Sequence, residues 1–180
     1  LLGSATGSKE IMDKILTRQS IFGTAGGTFS TWLVQRSMLT VGLRVKKQMD
    51  NADKLARALE KDPHVIKVNY PTVEKYPQKE LAKKLFKNSN MCGAMLSFEM
   101  PSDREKINEF MKRLNICHYA PTLGGVRTTM SHPATSSHRD LPEEMKKALG
   151  ITEGLMRISV GIEEPEDLIA DFTQALKAFD

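Results

Sequence analysis

The sequence predicts an α+β fold, of the α/β class overall, and three observations carry that reading. A long amphipathic stripe runs through Val34, Met38, Val41, Val45, Ala52, Leu55 and Leu59 in steps of three and four, which is helical spacing. Two later segments, Ala94–Glu99 and Leu155–Val160, instead alternate apolar and polar residues, as half-buried strands do. Helical stripes separate and follow those strands, so the order describes a sheet layered with helices.

In chain order, residues 1–20 read as a short strand, a Gly7-Ser8 turn and a helix with Ile11, Met12, Ile15 and Leu16 on one face. Gly23 to Gly27 is a flexible break. Ser30 is the expected cap of the long helix, which spans roughly 45 Å at 1.5 Å per residue if unbroken to Glu60. Gly42 is its expected bend, because glycine costs about 1 kcal/mol there relative to alanine. A helix of that length is expected to bridge two domains, residues 1–43 and 44–180. Trp32, near its head, reads as a core or domain-interface anchor.

Beyond it, His64 to Asn69 alternates as a strand, and Pro77 opens a helix carrying Leu81, Ala82, Leu85 and Phe86. Ser102-x-x-Glu105 has the form of a capping box, followed by Ile107, Phe110, Met111 and Leu114 at helical spacing. Asp140-x-x-Glu143 repeats that logic with Pro142 in the first turn, and Gly150 ends the helix. Pro165 starts the last helix, striped by Leu168, Ile169, Phe172, Ala175, Leu176 and Phe179. Glu166 and Asp167 at its head and Lys177 near its end suit the helix dipole.

Composition excludes several function classes. The net charge is +4, yet Lys46-Lys47, Lys83-Lys84 and Lys146-Lys147 are isolated pairs with acidic neighbours, the pattern of a solvated surface. Aromatic residues make up 6%, too few for base-stacking platforms, so nucleic acid is not an expected partner. No apolar run approaches the ~20 residues that span a bilayer. Leu1-Leu2-Gly3-Ser4 lacks the basic and apolar regions of a signal peptide, and a chain opening in strand-like sequence is expected to be a processed or truncated piece. Cys92 and Cys117 lack CxxC spacing and are expected as unbridged thiols in a reducing cytoplasm. His132 and His138 match no zinc spacing, so no metal site is expected.

Among residues that can do chemistry, Arg157 is the most informative. Period-two alternation puts Met156, Ile158 and Val160 on one face of its strand and Arg157 on the other with Leu155 and Ser159. A guanidinium fixed in mid-strand suits bidentate binding of a carboxylate; the competing reading is a structural ion pair or a side chain that snorkels to water. Thr122-Leu123-Gly124-Gly125-Val126 can bring backbone amides close to an anion, or be a plain turn. Ser131 to His138 is crowded with hydroxyls and imidazoles, either a proton relay or a polar loop.

Taken together, Thr122 to Val126, His132-Pro133-Ala134-Thr135 with His138, and Gly150 to Glu163 followed by Glu166 to Asp171 resemble the C-terminal signature of the Cys/Met metabolism (transsulfuration) enzymes. These include cystathionine γ-synthase, cystathionine γ- and β-lyases and methionine γ-lyase. Arg36 to Arg44 and Asn51-Ala52 match the start of that family's bridging helix, and the similarity runs along essentially the whole chain. The resemblance implies the aspartate-aminotransferase type of fold (fold type I). Residues 1–43 would be the tail of the large cofactor domain and 44–180 the small C-terminal domain. It implies pyridoxal phosphate as cofactor, bound upstream of Leu1 together with the Schiff-base lysine, so that no catalytic or cofactor-binding residue falls in this chain. The implied substrate-binding residues are Arg157, gripping the α-carboxylate, and Thr122, a position usually held by serine. The implied chemistry is C–S elimination or γ-replacement on an amino acid, in a cytoplasmic homotetramer. A glutamate common after the glycine pair is Arg127 here, a charge reversal bearing on the substrate's distal end. Thr28 stands where a proline is frequent. The alternative function is a non-catalytic assembly or regulatory module that keeps only the small domain.

Overall fold

A computed structural model describes residues 2–86 and 91–180, and divides the chain into two compact units, Leu1–Leu43 and Arg44–Asp180. The first unit holds α1 (Lys9–Phe22) and α2 (Thr28–Met38), neither of which buries a residue. The expected opening strand is not formed across residues 2–8, and Leu1 lies outside the described residues. Gly27, not Ser30, is the N-cap of α2, so Ser30 sits inside the first turn. Trp32 stacks near Phe29 at 5.8 Å between ring centroids but stays 53% exposed, contrary to the core role expected of it.

The long helix is two helices. α2 stops at Met38 and α3 runs Val41–Lys61, so the break falls at Leu39-Thr40 rather than at Gly42. The cause is local: the hydroxyls of Ser37 and Thr40 donate to the carbonyls of Leu33 and Ser37, competing for acceptors near the junction. Leu39 N–H turns back to Arg36 O at 3.3 Å, which tightens the final turn of α2.

The second unit is built on a five-stranded sheet in the order β1-β2-β5-β4-β3. Its strands are β1 (Lys67–Asn69), β2 (Met95–Glu99), β3 (His118–Tyr119), β4 (Thr129–Ser131) and β5 (Leu155–Ser159). All neighbours are antiparallel except β3 and β4. Three helices, α4 (Lys79–Leu85), α5 (Arg104–Arg113) and α6 (Glu143–Ala148), lie between strands, and α7 (Pro165–Leu176) follows β5, ending in a 3-10 turn at Lys177–Phe179.

One face of the sheet is apolar. Val68, Leu96, Phe98, Met130, Met156 and Ile158 join Leu55 and Leu59 of α3, Ile107 and Phe110 of α5, and Leu168, Phe172 and Leu176 of α7 in a single buried cluster. Phe98 meets Phe110 and Phe172 edge-on at 6.1 Å each, a geometry that suits the ring quadrupoles.

Two caps differ from expectation. Asp103, not Ser102, caps α5, its carboxylate accepting from the Glu105 and Lys106 amides; an ionised acceptor beside Ser102 makes the stronger charge-assisted bond. Asp140 caps nothing, because Pro142 occupies the N-cap of α6 and leaves no side-chain acceptor there. Gly150 does end that helix region, at φ +67°.

Candidate carboxylate-binding face

The other face of the sheet is polar, and its register defines the site. Across four strands, Asn69, Ser97, Arg157 and Ser131 stand in one row. The next row holds Met95, Ser159, Thr129 and His118. Arg157 is thus the central residue of the central strand, flanked on both sides by serines. It is half-buried, and among the described residues no carboxylate lies within ion-pair distance of its guanidinium. The nearest acid by register is Glu99, two residue pairs along the ladder, and its carboxylate accepts the Thr152 hydroxyl at 2.8 Å.

The glycine-pair loop is pinned on this same face. Gly124, in the left-handed region at φ +74°, donates its N–H to Ser159 Oγ at 2.9 Å, and Ser159 is two residues from Arg157 on the strand. Thr129 Oγ1 donates to the Thr122 carbonyl at 3.1 Å. From α3, Gln48 Nε2 donates to Gly125 O at 2.7 Å. The structure therefore brings Thr122 and Arg157 to one face. The Thr122 side chain is exposed there, with no hydrogen-bond partner among the described residues.

Behind the loop, Glu163 accepts from both the amide and the hydroxyl of Thr128, and Thr128 Oγ1 accepts from Gly161 N–H at 2.9 Å. Asn51, 1% exposed, donates to the carbonyls of Gly161 and Glu163. A Cβ at Gly161 would collide with the Val126 carbonyl and the Thr128 amide, so only glycine lets the loop pass this close to the end of β5. Alternation along the strand places Ser159 on Arg157's side, whereas the contacts of Thr129, Gln48, Asn51 and Glu163 are not evident from sequence spacing.

Arg127 is exposed, and its guanidinium has no acid partner among the described residues. His132 is no proton relay. It is 4% exposed, with Nε2 at 2.7 Å from the Glu153 carbonyl and Nδ1 at 2.9 Å from Thr135 Oγ1. A carbonyl only accepts, so Nε2 carries the proton and Nδ1 accepts from the threonine; both ring nitrogens are committed to holding the turn. Among the described residues no group of three His, Cys, Asp or Glu side chains could hold a metal ion, and no helix is long and apolar enough to cross a membrane. Cys117 is buried and Cys92 half-buried, and burial pushes both thiols up from their ordinary pKa.

Lys67 is the lysine of the strands, and it lies on edge strand β1, two strands from Arg157. Arg157's in-register neighbours on β2 and β4 are serines. What these residues can do is hold an anion.

Comparison with known proteins gives the setting of this geometry. The model of the Cys/Met metabolism PLP-dependent enzymes matches residues 1–177. The chain is 38% identical over 172 residues to a cystathionine beta-lyase of Lactococcus lactis, covering 96% of this chain and 44% of that protein. It is 36% identical to an L-methionine gamma-lyase of Treponema denticola, covering 98% and 44%. Among solved structures, a cystathionine gamma lyase of Micromonospora echinospora superposes with a TM-score of 0.85 at 30% identity, covering 94% of this chain and 44% of that one. A cystathionine gamma synthase of Xanthomonas oryzae, in complex with aminoacrylate and cysteine, superposes equally well at 31% identity, covering 95% and 43%. The chain spans less than half the length of these relatives.

Proposed function

The chain belongs to the Cys/Met metabolism PLP-dependent enzyme family, and from that premise we propose that residues 44–180 are the domain that grips the α-carboxylate of a sulfur amino-acid substrate. The observation that carries this reading is a half-buried guanidinium at the centre of a sheet, with no acid among the described residues to neutralise it. Arg157 binds the carboxylate with its planar fork, and the strand ladder on both sides keeps that fork aimed. Thr122 adds a hydroxyl donor from the loop fixed by Ser159, Thr129 and Gln48. Holding the carboxylate orients the bond to be broken, which is a positional contribution to rate.

Residues 1–43, in this reading, are the tail of a large cofactor-binding domain. Their surface supports it: Phe22, Phe29, Leu39 and Leu43 are each more than 70% exposed, an apolar display suited to burial against more chain. The reaction of the whole enzyme would be C–S elimination or γ-replacement, as the names of its relatives suggest. Pyridoxal phosphate supplies the electron sink that such chemistry requires; this chain contributes the substrate clamp.

The test uses the 180-residue chain and the Arg157 Nε–H resonance in ¹⁵N NMR. Titration with L-methionine is expected to move it saturably, and L-methioninamide, which lacks the carboxylate, is expected to leave it still. A silent resonance, or an equal response to the amide, overturns the assignment.

A further inference from the structure

Ser131 ends β4 and opens the hydroxyl-rich run to His138, and it is 4% exposed. Among the described residues its hydroxyl has no hydrogen-bond partner. The other hydroxyls of that run are spent inside the turn. Thr135 Oγ1 bonds His132 Nδ1 at 2.9 Å, Ser136 donates to the His132 carbonyl at 2.7 Å, and Ser137 meets His138 Nδ1 at 2.7 Å. Buried hydroxyls are nearly always paired, so one left over beside a binding face calls for an acceptor. Nor is it sealed away: among the described residues the fully enclosed side-chain atoms without a partner are Asn51 Oδ1 and Thr72 Oγ1, not Ser131 Oγ.

Register puts this hydroxyl beside the unpaired guanidinium. Ser131 is the β4 partner of Arg157, and directly opposed residues of an antiparallel pair share a face, with Cα atoms about 4.5–5.5 Å apart. Ser97, the β2 partner of Arg157, already accepts from Asn69 Nδ2 at 3.1 Å. The glycine-pair loop is tied to the adjoining row, where Gly124 bonds Ser159 and the Thr122 carbonyl bonds Thr129. Thr129 stands two residues before Ser131 on the same face of β4. The loop and the unpartnered serine therefore flank Arg157 from its β4 side.

We propose that Ser131 is a third substrate-binding residue, donating its hydroxyl proton to the carboxylate that Arg157 grips. This rests on the clamp proposed above and extends it. A carboxylate has about four acceptor sites; the arginine fork takes two and leaves room for two hydroxyls, those of Thr122 and Ser131. A donor on β4 seats the carboxylate over the β4–β5 pair and not over β5–β2. That sets the direction in which the rest of the substrate leaves the clamp, which is what orienting one bond for cleavage requires.

The experiment is a titration of the 180-residue chain with L-methionine, following the Ser131 and Arg157 resonances by NMR, with a melting curve for each variant. In wild type both resonances are expected to move with one dissociation constant. Ser131→Ala removes an unpaired hydroxyl, so it is expected to melt at an unchanged or higher temperature and to bind about fivefold or more weakly, since a hydrogen bond to a charged group is lost. Ser131→Cys keeps nearly the same shape with a much weaker donor and is expected to bind as poorly as the alanine variant. Wild-type affinity in both variants overturns the proposal, whether or not they melt earlier; an earlier melt with affinity retained assigns the hydroxyl to the fold. In that event a wild-type Arg157 resonance that still responds leaves the clamp standing, and only Ser131 is withdrawn. A wild-type Arg157 resonance that does not respond removes the clamp and Ser131 together.

Discussion

Asp171 offers the sharpest test of how the second unit is held together. It lies on α7, 5% exposed, and its two oxygens accept from the amides of Asn115, Ile116 and Cys117 at 2.9, 2.9 and 3.2 Å. Gln174 Nε2 adds a further donor at 3.2 Å. One carboxylate thus fastens the turn between α5 and β3 to the last helix. In Asp171→Ala the exposed Asn115 amide can turn to water, but those of Ile116 and Cys117 lose their acceptor in a site with little access. At about 1–3 kcal/mol for each of the two donors left unmet, the expected loss is roughly 2–6 kcal/mol. Burial pushes the Asp171 carboxyl up, but the three backbone amides and Gln174 outweigh it and hold it below the ordinary carboxylate range. A carboxyl whose pKa is lower folded than unfolded adds stability that is complete above the unfolded value, near ~3.9, and is lost as pH falls through the folded value. Urea unfolding of wild type and Asp171→Ala should therefore show a large gap at pH 7 that narrows steadily below about pH 4. A gap under about 0.5 kcal/mol at pH 7, or one that widens in acid, would mean that the carboxylate does not hold the turn.

Three further outcomes are expected. Ser159→Ala removes the acceptor of the Gly124 amide and should cost about 1 kcal/mol in urea unfolding, while weakening the L-methionine response of Arg157 severalfold by NMR. Gly161→Ala should destabilise by roughly 1–3 kcal/mol or more, since the added carbon meets backbone atoms that cannot move aside; calorimetry checks it. Alkylation of the native chain near pH 8 should modify Cys92 and spare Cys117, which burial first, and the Asp171 and Glu163 charges next, keep protonated. Mass spectrometry showing Cys117 labelled at an equal rate would contradict that burial.

How far the sequence could be read depended on the range of the forces involved. α7 was plain, because Pro165 at its start and a continuous stripe are local signals. β5 was equally plain, and with it the side of the strand on which Arg157 stands. The break at Leu39-Thr40 was missed because hydroxyl competition at Ser37 and Thr40 leaves the apolar spacing untouched. β4 was missed for a different reason. Its three residues offer one apolar side chain, Met130, and it becomes a strand by pairing with β3 on one side and β5 on the other. The pins of the glycine loop share that character: Gln48 reaches Gly125 and Ser159 reaches Gly124 over separations of 77 and 35 residues. A reading by periodicity finds the arginine but not what surrounds it.

What separates a ligand clamp from a structural arginine is the sign of its contribution to stability. A structural arginine pairs with an acid, so removing it leaves a charge behind and destabilises the fold. Arg157 has no such partner among the described residues, and Glu99, the acid nearest by register, already accepts from Thr152. Partial burial of an unpaired guanidinium is a standing cost, which a bound carboxylate would relieve. Replacing it with methionine, similar in reach and free of charge, should then leave unfolding stability unchanged or raise it by about 0–1 kcal/mol. The same substitution should abolish the saturable response of the Ser97, Ser131 and Gly124 resonances to L-methionine. A loss of 2 kcal/mol or more in Arg157→Met would mean the guanidinium is already neutralised within the protein, roughly the deficit that a broken buried pair leaves. In that event the carboxylate it serves belongs to the fold and not to a substrate.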